Sequence, residues 1–113
     1  MVNKEIRLIV SGRVQGVSLR FNVKNYCDKE GIKGQVQNLR GGDVEVIAQA
    51  EEEKLIGLFN WIKRSPGMSK VISVRDNWSK IKDKMDSFEI LKNTGFINDQ
   101  KSSFINLGRS FIR

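Results

Sequence analysis

Apolar and polar residues alternate from Glu5 to Ser11, with Ile6, Leu8 and Val10 set against Arg7, Ile9 and Ser11. That period of two predicts a strand with one firmly buried face. Beyond Gly12 and Gly16 the spacing changes, and Leu19, Val23, Tyr26 and Cys27 recur at helical intervals. Gly31 supplies a stop, so a helix of about three turns is predicted from near Leu19 to Glu30. Two extended runs, Lys33 to Leu39 and Val44 to Ala50, flank Arg40-Gly41-Gly42-Asp43 and predict a β-hairpin. Glu51-Glu52-Glu53 opens a second helix, where carboxylates are stabilised by the positive helix end. Its buried stripe is Leu55, Leu58, Phe59 and Ile62, and Ser65-Pro66-Gly67 ends it. Val71, Ile72 and Val74 begin a strand running towards Trp78, and Ser87 to Leu91 forms a last extended piece.

The resulting order is β-α-β-β-α-β plus a short extra strand. Right-handed crossovers turn that order into an α+β ferredoxin-like sandwich, an antiparallel sheet with two helices on one face. Residues 1–91 hold this single domain. Residues 92–113 differ: Lys92, Lys101, Arg109 and Arg113 stand against Asp99 alone, interleaved with Phe96, Phe104 and Phe111. Phe104, Ile105, Gly108, Phe111 and Ile112 could share one helix face begun by Asp99. This basic, Phe-containing extension reads either as a tail packed on its own domain or as a contact for a partner.

With 113 residues, 39% hydrophobic and 29% charged, the chain suits one soluble domain. No apolar run approaches the roughly 20 residues of a membrane span. The start, Met-Val-Asn-Lys-Glu-Ile-Arg, interrupts its apolar residues with charge and is no signal peptide, so the cytoplasm is the expected compartment. Histidine is absent, which excludes Ser-His-Asp and Cys-His catalysis and every His-dependent metal site. Cys27 is the only cysteine, too few for an intrachain disulfide or a thiolate zinc site, and its place in a helical stretch suits a small core residue. The formal net charge of +7 favours an anionic ligand, although scattered surface lysines produce the same total.

The candidate chemistry lies in Val10-Ser-Gly-Arg-Val-Gln-Gly-Val-Ser-Leu-Arg20, a glycine-containing loop between a strand and a helix. The backbone N–H groups of Gln15, Gly16, Val17, Ser18, Leu19 and Arg20 would cradle a phosphate at the helix N-terminus. The Arg20 guanidinium could fold back over the loop to make fixed, bidentate contacts with two phosphate oxygens. Asn38, near the end of the first hairpin strand, offers a donor and an acceptor that do not titrate. It can orient a water, or it can serve the chemistry of the turn that follows.

These residues resemble the signatures of the acylphosphatase family. The first, an apolar residue followed by x-Gly-x-Val-Gln-Gly-Val-x-(Phe or Met)-Arg, is matched by Val10 to Arg20, with Leu19 as the sole departure. The second, Gly-(aromatic)-(small apolar)-x-Asn-x-x-x-Gly-x-Val with a later Gly, is approximated by Gly34-Gln-Val-Gln-Asn38-Leu-Arg-Gly-Gly42-Asp-Val44. Gln35 stands in place of the aromatic and Ala50 in place of the last glycine. The resemblance covers about residues 5–91 and leaves the extension outside it. It implies hydrolysis of the carboxyl–phosphate anhydride of small-molecule acylphosphates to a carboxylate and inorganic phosphate. On the family's pattern, the loop N–H groups and Arg20 hold the phosphoryl group while Asn38 positions the attacking water. No metal, cofactor, nucleotide or covalent intermediate is implied, and the enzyme is expected to be a monomer. The alternative is a non-catalytic phosphate- or RNA-binding module on the same scaffold. No Lys/Arg-Gly-Phe-type signature of RNA-binding sheets appears on a central strand, so a nucleic-acid partner is not favoured.

Overall fold

The alternation around Ile6, Leu8 and Val10 becomes strand β1, Asn3–Arg13, in the computed structural model, which describes residues 2–92. Helix α1 spans Leu19–Glu30, β2 Lys33–Asn38, β3 Val44–Glu51, α2 Glu52–Lys63, β4 Lys70–Ser79 and β5 Phe88–Ile90. The sheet order is β4-β1-β3-β2-β5. The first four strands pair antiparallel, as expected of a ferredoxin-like sandwich. The short extra strand adds parallel to β2, through Gly34, Val36 and their partners Phe88 and Ile90, which makes the full sheet mixed. The extension expected over residues 92–113 lies, from residue 93 on, outside the described residues.

Period-two patterning decides which face of the sheet is covered. Ile6, Leu8 and Val10 of β1, Val36 of β2, and Val44, Val46 and Ala48 of β3 are all fully buried. They meet Leu19, Val23 and Cys27 of α1 and Leu55, Leu58 and Ile62 of α2 in one core. The opposite face is polar. There Arg7 Nε donates to Glu45 Oε2 at 2.6 Å, and Gln37 Nε2 donates to the other oxygen of the same carboxylate at 2.8 Å. No aromatic side chain of the described strands falls on this open face, since Trp78 and Phe88 share the helix-covered side with their partners Ile6 and Gly34.

The helix boundaries follow their end chemistry. Gly31 takes φ 74°, and the N–H of Ile32 reaches back to the carbonyl of Cys27 at 2.8 Å, closing α1. Glu52 and Glu53 occupy the first turn of α2 and Lys63 its last, the charge order that a helix dipole favours. Gln49, almost fully buried, accepts from the Met85 N–H and donates to the Asp83 carbonyl, which fixes the segment leading into β5.

One boundary differs from expectation. β1 continues to Arg13 because its pairing with β4 runs on, across a bulge at Ser11/Gly12, to Arg13 and Lys70. Gly12 therefore belongs to the strand, not to the loop. A Cβ there would lie 2.2 Å from the Lys70 carbonyl oxygen. Gly34 is under a similar constraint, with φ 149° and a Cβ position only 1.9 Å from the Ile47 carbonyl oxygen. Gly16, by contrast, has φ 74° but open space where a Cβ would go. Gly34→Ala is thus expected to lower the unfolding free energy by about 2–4 kcal/mol. Gly16→Ala, which bears only the left-handed backbone cost, loses about 1–2 kcal/mol. Urea denaturation of the two variants checks the difference, and equal losses would contradict it.

Candidate active site

The loop between β1 and α1 comprises Val14 to Ser18. Gly16 has φ 74° and Ser18 φ 62°, while Gln15 and Val17 keep ordinary negative φ. Alternating signs of φ turn successive backbone N–H groups to one side, the geometry of an anion-binding concavity. Ser18 is the residue preceding α1, yet its side chain makes no capping hydrogen bond. The first turn of α1 also contains no carboxylate, unlike that of α2. The amides at the start of α1 are left without the usual internal anion.

Gly16, Ser18, Leu19 and Arg20 line one open cavity of about 360 Å³, completed by Val14, Phe21 and Ile90. Arg20 is half-buried and takes part in none of the ion pairs among the described residues. Its charge faces a space lined by no acid. Val17 packs against the core and holds the loop down from beneath. Leu19 is fully buried, so an aliphatic side chain fills this position without disturbing Arg20's place in the helix.

Gln15, expected to offer its backbone N–H, also uses its side chain. Its side-chain Nε2 donates to the carbonyls of Leu39 and Asp43, each at 2.8 Å. These carbonyls stand at the two ends of the hairpin turn, where the Leu39 N–H also donates to Asp43 and the Gly42 N–H to Leu39. The carboxamide therefore staples the glycine loop to the turn that begins one residue after Asn38.

Asn38 alternates with Gly34 and Val36 along β2 and pairs with Val44, so it points to the helix-covered side. It is 8% exposed, and its Oδ1 is buried with no hydrogen-bond partner among the described residues. Asn38 is not among the residues that line the cavity with Arg20; it ends β2, one residue before the turn that Gln15 ties to the loop. A buried acceptor without a donor costs about 1–3 kcal/mol, so the position is unfavourable unless something fills it.

A protein-family model described as Acylphosphatase matches residues 6–90. The chain belongs to the acylphosphatase family. Among curated acylphosphatases, that of Caldanaerobacter subterraneus subsp. tengcongensis is 35% identical over 89 residues, covering 79% of this chain and 99% of its own. That of Vibrio cholerae is 39% identical over 85 residues, covering 75% and 93%. The crystal structure of acylphosphatase from Bacillus subtilis superposes with a TM-score of 0.75 at 33% identity, covering 78% of this chain and 98% of that one.

The other departures from the acylphosphatase signatures sit outside the cavity. Gln35 is half-exposed and faces away from the core, opposite Ile47 and Glu89, where a polar side chain is at no disadvantage. Ala50 is buried within β3, paired with Lys4. No helix among the described residues is long and apolar enough to cross a membrane. Cys27 is fully buried in α1, and desolvation, with a smaller push from Asp28, drives its thiol well above the ordinary value of 9.0. That is the reverse of what a nucleophile needs.

Two outcomes follow from this geometry. Gln15→Leu removes two hydrogen bonds and is expected to cost about 1–3 kcal/mol. Amide hydrogen exchange should then rise together in residues 14–18 and 39–43, and acceleration of only one segment would contradict the staple. For Cys27, the native thiol keeps its proton where the unfolded thiol releases it. Its contribution to stability is full below about pH 9 and falls as the pH rises further. Denaturant titrations at stepped alkaline pH should show that fall, and Cys27→Ala should lack this part of it.

Proposed function

We propose that this chain hydrolyses the carboxyl–phosphate anhydride of acylphosphates by direct attack of one water on phosphorus. The observation that carries the reading is the unpartnered, buried Oδ1 of Asn38, one residue before the turn that Gln15 ties to the glycine loop. The N–H groups from about Gln15 to Arg20 and the Arg20 guanidinium take the phosphoryl oxygens. Asn38 Oδ1 accepts one hydrogen of the water, which leaves an oxygen lone pair free to point at phosphorus. The new P–O bond forms as the bond to the acyl oxygen breaks, and the acyl oxygen departs as a carboxylate. The water's second proton passes to a phosphoryl oxygen, so the products are a carboxylate and dihydrogen phosphate.

Energetics support a site built this way. A carboxylate with a pKa near 4 leaves without a proton, so a chain lacking histidine loses nothing at that step. What must be stabilised is charge on the equatorial phosphoryl oxygens, and fixed amides with a guanidinium do that without reorganising. Loop, arginine and carboxamide all come from one chain, which supports the monomer as the working unit.

Hydrolysis of benzoyl phosphate in the presence of a chelator tests the reading. Arg20→Ala is expected to lower kcat/KM about 10³-fold, with Arg20→Lys recovering only part. Asn38→Ala is expected to lower kcat about 10²- to 10³-fold. The unfolding free energy of the Asn38 variant should hold steady or increase, because an unsatisfied acceptor has been removed. Turnover equal to wild type in both alanine variants would refute the assignment.

A further inference from the structure

The open face of the sheet, opposite the helices, holds a separate cavity of about 310 Å³. Arg7, Ile9, Leu39, Asp43, Arg75 and Asn77 line it. Alternation and register explain how the strand residues meet. Arg7 and Ile9 point away from the core that Ile6, Leu8 and Val10 fill, and β4 sets Asn77 opposite Arg7 and Arg75 opposite Ile9. Ile9 is only 7% exposed, yet neither it nor the half-buried Leu39 belongs to the helix-covered core. The two give the cavity an apolar part on a largely polar face.

The charges around this apolar part differ in how they are met. Arg7 is paired with Glu45 at 2.6 Å. Asp76, which also borders the cavity, alternates with Arg75 along β4, and its carboxylate accepts from Trp78 Nε1 at 3.0 Å. Neither the Arg75 guanidinium nor the Asp43 carboxylate takes part in an ion pair among the described residues, with each other or with a third group. A cation and an anion thus line one cavity, both unpaired, with apolar side chains beside them. The backbone of this wall is held in place, since the carbonyls of Leu39 and Asp43 are the two that Gln15 takes.

We propose that this cavity binds a small zwitterion, a free α-amino acid with an aliphatic side chain. Its carboxylate lies on Arg75, its ammonium on Asp43 and its side chain over Ile9 and Leu39. A simple anion would answer Arg75 but add negative charge beside Asp43, and a simple cation would do the reverse. A ligand carrying both charges answers each, and the planar guanidinium fork matches a carboxylate. The aliphatic side chain takes apolar surface out of water at Ile9 and Leu39. The volume falls at the small end of the range of about 300–1,000 Å³ for organic ligands, as a free amino acid requires. No lining residue is shared with the cavity beside Arg20, so the inference stands apart from the hydrolytic reading.

Amide chemical shifts of the labelled full chain, titrated with L-leucine, test the proposal. The amides of Leu39, Asp43, Arg75 and Asn77 are expected to move together and to approach saturation by about 10 mM leucine. Isocaproate lacks the ammonium and isoamylamine lacks the carboxylate, and each is expected to bind about tenfold more weakly or worse. Arg75→Ala and Asp43→Asn should each weaken leucine by a similar factor of about ten. Both side chains lie outside the core, and the two analogues probe the same contacts in the unaltered protein. No movement at that concentration, movement confined to residues 14–21, isocaproate and isoamylamine binding as well as leucine, or unchanged affinity in both variants overturns the site. None of these outcomes bears on the hydrolytic reading, which benzoyl phosphate tests separately.

Discussion

The Gln15 side chain joins two segments that leave the same sheet end in different directions along the chain. On one side lies the loop that lines the cavity; on the other lies the hairpin turn that follows Asn38. The acceptors of Gln15 are 24 and 28 residues away in sequence. Two hydrogen bonds from one carboxamide give their separation a fixed value. In-line attack tolerates little error, since a displacement of about 1 Å can cost a hundredfold in rate. The staple is therefore the contact through which a well-packed sandwich becomes a site.

Other features of the same junction bear on this reading. Ser18 adopts a left-handed backbone without the freedom of glycine, and its side chain leaves the start of α1 uncapped. Asn38 buries an oxygen without a donor, and Arg20 keeps its charge apart from the ion pairs of the described residues. Ser65, after α2, shares the left-handed backbone, and α2 also lacks a side-chain cap, so among the described residues it is the buried, unpartnered Asn38 oxygen that sets this region apart. Elsewhere the same chemical needs are met internally: α2 opens on Glu52 and Glu53, and Glu45 is satisfied by Arg7 and Gln37. On the proposed reading, this unmet acceptor and the acid-free start of α1 are where a water and an anion bind.

Much of this was readable from the chain, and the parts that were not have a common cause. Period two at Ile6, Leu8 and Val10 and helical spacing at Leu19, Val23 and Cys27 are local signals, and the structure follows them to within a residue or two. Asn38 could have been placed on the inner face from its alternation with Gly34 and Val36. Gly12 could not be separated from the loop, because its assignment depends on how far β4, about sixty residues later, continues the pairing. The side chain of Gln15 was equally hidden, since its acceptors exist only after the hairpin has folded against the loop. β5 is too short for its direction to show in a hydropathy pattern, and the crossover that delivers it makes it parallel. Local periodicity reports burial, whereas the site is assembled from contacts of long sequence separation.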